Sequence, residues 1–404
     1  MKTLRNNMTM ALAVMCSLKS VAGDQACSQI ATPSCFYKSL TQPYYPPNAV
    51  CNDYMIPVDI EYTNVAFNAT RWGDDYGLNN FLDILTTRAG VDNSPPVGLA
   101  SPSTQTATVN IAATFCTPKN KNGKEKTVIL ATHGVGPARV HWNAPVQPGQ
   151  YNFAQYAISQ GYSVFFYDRL GTGASDKVSG FDNSIFKAIS VLQSLSKLVR
   201  NGLYTGSLGK PKKIAVIGFS FGSYATHGAI AMDPSIADAV ILTAIGFNMT
   251  GINVNGLLRS FVPRVASLQN SALYGDRDPG YVTWVDKYAQ IWNYFKYPNY
   301  DPVIADYAEA AKQPFAITEF LSLLSGPTDA SAFKGPVLAI TGEYDYIFCD
   351  GYCPGLLEEP GRTYYKNAKY VPYVHPGASH QLFLHYNATG AFQVITNFLS
   401  DNGL

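Results

Sequence analysis

The chain has 404 residues, 47% of them hydrophobic, and its 29 basic and 28 acidic residues give a formal charge of +1. That apolar content is ample for a substantial core and excludes a disordered chain. The near-neutral balance offers no basic stripe for nucleic acid, so the expected partner is a small-molecule substrate.

At the start of the chain, Lys2 and Arg5 precede an apolar run from Met8 to Leu18, and small residues follow at Val21, Ala22 and Gly23. A basic start, an apolar middle and a small-residue cleavage site predict a signal peptide over residues 1–23. The run is too short to span a bilayer, and no later stretch nears the roughly 20 apolar residues that a span needs, so no stable membrane anchor is expected. Cleavage would remove three of the basic residues and none of the acidic ones, leaving a secreted chain with a net charge near −2.

Of seven cysteines, Cys16 falls in the signal segment, which leaves Cys27, Cys35, Cys51, Cys116, Cys349 and Cys353. In an oxidising compartment these six favour up to three disulfides. Sequons at Asn68, Asn248 and Asn387 fit the same route. Cys349 and Cys353 could bridge locally or hold a metal; with no matching His/Cys pair, a disulfide is preferred.

Residues 24–55 are rich in Cys, Pro and Tyr and predict an irregular segment stapled to the body. From residue 57 onward, β-branched and aromatic runs predict strands at 58–67, 106–115, 127–132, 163–167, 214–217, 239–243, 337–340 and 370–374. Helix-like stretches at 153–160, 184–200, 221–232 and 390–400 alternate with the later strands. The pattern predicts an α/β class, with a mostly parallel sheet covered on both faces and ligands at the carboxyl ends of its strands. The core is assigned to residues 56–247 and 331–404.

The alternation breaks over 248–330, where three helix-like stretches, at 256–268, 281–294 and 302–324, predict a helical lid. The lid is heavy in aromatics (Phe261, Trp284, Tyr288, Trp292, Tyr294 and Phe295 among them), and helical spacing puts several on one face. The preferred expectation is a small core that holds the lid together, with substrate contact for some.

A strand running into Gly218-Phe219-Ser220-Phe221-Gly222 and then a helix carries the chemistry. A serine hydroxyl is a poor nucleophile unless it is held within reach of a base and faced by oxyanion donors, and a G-x-S-x-G elbow supplies that geometry. The acid and base should follow in the order Ser, Asp/Glu, His. Asp345, beyond the 337–340 strand, is the expected acid, with Glu343 and Asp350 as rivals on the same loop. His380, beyond the last strand, is the expected base, with His375 and His385 as neighbours of packing or surface character. The oxyanion donors are expected from the N–H of Phe221 and, in the loop His133-Gly134-Val135-Gly136, that of Val135. His133 is assigned a structural role.

Taken together, Thr132-His133-Gly134, the segment 167–175 (YDRLGTGAS), the GFSFG elbow, Gly342-Glu343-Tyr344-Asp345 and His380 resemble the α/β-hydrolase superfamily over residues 125–400. The secretory features and Cys-rich N-terminus are similar to those of uncharacterised fungal secreted members. The resemblance implies an eight-stranded sheet, a Ser220–Asp345–His380 triad, Val135 and Phe221 as oxyanion donors, and no metal or organic cofactor. It also implies that Arg169 and the glycines of 168–175 fix a loop. Ala378 and Ser379 stand where many relatives carry Gly.

The expected reaction is hydrolysis of an ester or related acyl bond through an acyl-enzyme, on a substrate with an apolar or aromatic portion. Peptidase and acyltransferase chemistry use the same triad. A natural-product cyclase or lyase using the triad only for acid–base work is the alternative class, and a non-catalytic binding module a third.

Overall fold

A computed structural model describes residues 43–64, 67–68, 70–87, 98–99 and 102–404. The signal segment, residues 24–42 with Cys27 and Cys35, and parts of 65–101 lie outside the described residues.

Eight strands form one sheet: β1 (Ala49–Asn64), β2 (Ser103–Pro118), β3 (Thr127–Thr132), β4 (Ser163–Tyr167), β5 (Lys213–Phe219), β6 (Ala239–Thr243), β7 (Pro336–Gly342) and β8 (Lys369–His375), in the order β1-β2-β4-β3-β5-β6-β7-β8. β2 runs antiparallel to both of its neighbours, and the strands from β4 to β8 are parallel. Every residue of β3 is buried, as in a strand covered on both faces. The middle of β1 instead buries alternate residues, Ile56, Val58 and Ile60, the period-2 signature of a half-covered strand.

β1 begins inside the segment predicted as irregular. Residues 49–55 already pair with β2, and Cys51, opposite Cys116 in the register, is disulfide-bonded to it. The strand's alternation is masked there by half-buried and exposed residues, which hide it from a reading by hydrophobicity.

Helices α1 (Asp75–Thr86), α2 (Phe153–Ser159), α3 (Ile185–Arg200) and α4 (Phe221–Met232) precede the insertion, which holds α5 (Val254–Phe261), α6 (Lys287–Tyr294) and α7 (Pro302–Ala310); α8 (Ala388–Asp401) closes the chain. α1 lies outside the helix-like stretches that the sequence marks; Asp74 caps it by accepting the Gly77 N–H, and Leu78, Phe81 and Leu82 form its buried stripe. Among the described residues no helix is long and apolar enough to cross a membrane.

The insertion is not purely helical. Arg264–Val265, Tyr281–Thr283 and Phe315–Ala316 make a three-stranded antiparallel sheet that interrupts each predicted helix. Prolines explain two of the breaks: Val262, in a left-handed conformation, precedes Pro263, and Pro314 stands beyond α7. In the remaining stretch the helix starts late, where Asp286 accepts the N–H groups of Tyr288 and Ala289. Trp284 therefore lies before α6. Phe261, Trp284, Tyr294 and Phe295 are buried, whereas Tyr288 and Trp292 share a face that is 63% and 69% exposed, so those two are no part of the lid's core.

Candidate active site

The predicted site residues converge at the carboxyl ends of β3, β5, β7 and β8. At the end of β5, Ser220 turns the chain into α4 with φ 53° and ψ −119°, a conformation rare for a residue with a Cβ. The flanking glycines allow it. A Cβ at Gly218 would come within 2.5 Å of Gly222 O and Ser223 Cα, and one at Gly222 within 2.2 Å of the Thr132 carbonyl.

Beyond β7, Asp345 caps the short helix Tyr346–Cys349. Its Oδ1 accepts the Ile347 and Phe348 N–H groups at 2.9 and 3.1 Å, and its Oδ2 lies 2.8 Å from His380 Nδ1. The Cys349–Cys353 disulfide closes the chain just behind this turn, so the two thiols are bridged and not metal ligands. His380 Nε2 in turn lies 2.8 Å from Ser220 Oγ. With Nδ1–H donating to the carboxylate, Nε2 is left as an acceptor for the serine hydroxyl, the arrangement that polarises the O–H bond. All three side chains are buried.

The rivals have other work. Glu343 Oε2 accepts the N–H of Gly377, which sits at φ 74°. Glu343 N–H donates to His375 O, Tyr344 N–H to Ala378 O, and Ser379 Oγ to Tyr344 O, so the acid loop and the histidine loop are laced together without glycine at 378 or 379. Asp350 is exposed. His375 Nε2 bonds the Asn387 carbonyl. His385, expected at the surface or in packing, is fully buried: its Nδ1 donates to Gln381 O, and its Nε2 accepts the N–H of Ser379 and, from the insertion, that of Lys296. Burial pushes its pKa down to about 4.

Between β3 and the elbow, a Cβ on Gly134 would come within 2.8 Å of Ser220 Cβ, so this loop lies directly against the serine. His133 is structural as expected: Nδ1 donates to Gly134 O, and Nε2 accepts the Arg169 N–H at 3.0 Å. Burial, reinforced by the Arg169 charge, holds it well below the usual histidine range. Phe221 is the first residue of α4, so its N–H has no acceptor within the helix. The Val135 carbonyl accepts the Tyr294 hydroxyl at 2.9 Å.

Further residues complete the surroundings; of these the sequence marks Tyr294 only as a lid aromatic and Arg169 only as a residue that fixes a loop, and it marks neither Phe348 nor His141 nor Glu319. Tyr294 stands edge-on to His380 with ring centroids 5.1 Å apart, and Phe348 approaches the same imidazole at 5.2 Å. His141 stacks on Phe219 at 4.1 Å, and burial together with the nearby His380 lowers its pKa to about 3. Arg169 forms a buried ion pair with Glu319 of the insertion. No spacing rule marks these residues, because they reach the site from turns whose approach only the folded chain defines.

The model of the alpha/beta hydrolase family matches residues 128–392, more than half of the chain. Among solved structures, the chain is similar to Rv0554 from Mycobacterium tuberculosis, with 16% identity, a TM-score of 0.50, and coverage of 74% of this chain and 96% of that one. A thermophilic esterase from Thermogutta terrifontis is 18% identical over 73% of this chain and 95% of its own, with a TM-score of 0.49. The Paleococcus ferrophilus monoacylglycerol lipase is 15% identical over 72% and 99%, with a TM-score of 0.47. No curated protein sequence matches the chain.

Proposed function

Since the chain belongs to the alpha/beta hydrolase family, we propose that it is a secreted serine hydrolase that cleaves an ester or related acyl bond of a small, largely apolar substrate through an acyl-enzyme. The observation that carries this reading is the unbroken Ser220–His380–Asp345 hydrogen-bond chain, at 2.8 Å for each link.

Ser220 Oγ attacks the acyl carbonyl while His380 Nε2 takes its proton, and Asp345 steadies the resulting imidazolium. The oxyanion is received by the N–H groups of Phe221 and Val135, at the start of α4 where the helix dipole adds favourable potential. His380 then returns the proton to the leaving alcohol and activates the water that releases the acid. An apolar cavity of about 210 Å³, lined by Leu257, Leu258, Phe320, Leu323 and Phe348 among others, lies on Phe348, whose ring also packs against the histidine, and supports an apolar acyl or alcohol portion. The Cys51–Cys116 and Cys349–Cys353 disulfides and the exposed Asn387 sequon support passage through an oxidising secretory route.

A panel of chromogenic esters graded by chain length, with an aromatic series beside it, tests the reading. Wild-type protein should turn over members of the panel, and Ser220→Ala and His380→Ala should each lose about a thousandfold or more in kcat. Turnover of a substrate that persists in Ser220→Ala would replace the acyl-enzyme with acid–base chemistry of the lyase or cyclase kind.

A further inference from the structure

A second, smaller cavity of about 20 Å³ lies between the insertion and the loops of the core, and its lining includes Gln381, the residue after His380. Its walls include His141, Gln290 and Tyr294 from α6, Tyr307 from α7, and Gln381 from the histidine loop. Two contacts tie it to the reaction centre. The Gln381 N–H donates to the Tyr294 carbonyl at 2.9 Å, next to the Tyr294 ring that faces His380, and His141 stacks on Phe219, the residue before Ser220.

Three polar atoms in these walls, His141 Nε2, Gln290 Oε1 and Gln381 Oε1, have no hydrogen-bond partner among the described residues, although their residues are only 6%, 4% and 4% exposed. Nearby amides buried for structural reasons are paired: Asn152 donates to Asn143 Oδ1 and Ala144 O, and Asn143 donates to Tyr44 O. Unpaired polar atoms are costly to bury, and three residues that carry them line this one cavity, the small set of polar groups in one pocket that a ligand-recognition site uses.

We propose that this cavity is a substrate subsite for one small, uncharged hydrogen-bonding group, a hydroxyl or the end of a primary amide, carried on the ester near its scissile carbonyl. This rests on the acyl-enzyme reading and narrows its substrate class. The volume admits a single water-sized group. Among the described residues, none that lines the cavity is Asp, Glu, Lys or Arg, and burial keeps His141 neutral, so a carboxylate or ammonium would be buried there without a counter-charge. Each glutamine end offers both a donor and an acceptor, and a neutral imidazole offers one of each. A group able to donate and accept therefore fits, and a methyl in its place leaves all three atoms unpaired.

The test uses matched esters that differ only in one terminal group, hydroxyl, carboxamide, methyl or carboxylate, placed in turn on the acyl and the alcohol side. Wild-type protein should favour the hydroxyl or carboxamide member over the methyl member by about tenfold or more in kcat/KM and should reject the carboxylate. Gln290→Met and Gln381→Met keep an unbranched side chain of similar length without its polar end and should bring that ratio close to one, with melting temperatures reporting that the variants fold. A wild-type ratio near one, or a ratio that survives both variants, overturns the subsite and leaves a cavity for structural water. If no ester is turned over, the acyl-enzyme reading fails by itself. Saturation-transfer NMR with acetamide then decides the subsite: binding that Gln290→Met abolishes supports it, and no binding overturns it.

Discussion

Arg169 donates from Nη2 to the Gly134 carbonyl at 3.1 Å. The same carbonyl accepts from His133 Nδ1 at 2.8 Å, and in a trans peptide plane the Val135 N–H points the opposite way, so these two donors aim the proposed oxyanion donor. The other end of the guanidinium pairs with Glu319, and its carbon lies 4.4 Å from the Phe221 ring. One buried cation thus joins the 168–175 turn, the 133–136 loop, the elbow and the insertion.

Arg169→Lys keeps the charge but loses the planar fork, and kcat is expected to fall about 10- to 100-fold with a smaller change in KM. Glu319→Gln leaves the cation buried without its partner and should cost about 3–5 kcal/mol in urea unfolding. The double variant Arg169→Met with Glu319→Leu should recover much of that stability without recovering kcat. Equal kcat in wild type and Arg169→Lys would show that the guanidinium does not aim the Val135 N–H.

Tyr294 meets the same loop from the insertion, its hydroxyl bonded to the Val135 carbonyl and its ring against His380. Tyr294→Phe removes one hydrogen bond and should lower stability by about 1 kcal/mol, with a several-fold fall in kcat. Tyr294→Ala also opens a void and should cost about 3–5 kcal/mol. Steady-state kinetics and chemical denaturation on the pair separate the two contributions. A Phe variant as impaired as the Ala variant would show that the hydroxyl, and not the packing of the ring, is what matters.

The buried histidines predict how stability varies with pH. His141 and His385 stay neutral in the folded chain, with pKa values pushed by burial to about 3 and about 4, against an ordinary 6.5 when unfolded. As pH falls below about 6.5 the unfolded chain takes up protons that the folded chain refuses, so stability declines from there toward pH 4 and, for His141, pH 3. Above about 6.5 these groups contribute no slope. A tenfold loss of proton affinity on folding corresponds to about 1.4 kcal/mol, so the summed decline is several kcal/mol. Thermal melts between pH 7.5 and 4.5 should show Tm falling through this window, less steeply in His141→Phe. A Tm that is flat or rising toward acid would contradict the neutral assignment.

Local signals in the sequence mark the loops that carry the candidate triad. A continuous apolar run at 127–132 and an elbow bracketed by glycines each depend on few neighbours, and the triad candidates stand directly after strands whose ends the fold gathers at one edge. The insertion was harder to read. Tyr288 and Trp292 have helical spacing, but the pattern cannot say which face turns inward, and the strand Tyr281–Thr283 exists only because Arg264–Val265 and Phe315–Ala316 come to pair with it. Arg169–Glu319 and the cluster of His141, Gln290 and Gln381 were hidden for the same reason, since each joins positions far apart in the chain.

The most direct measurement is covalent. Wild-type protein treated with a fluorophosphonate and digested should carry a single phosphonyl adduct on the peptide containing Ser220, and His380→Ala should react far more slowly. An adduct on another serine, or none at all on protein that turns over esters, would contradict Ser220 as the nucleophile.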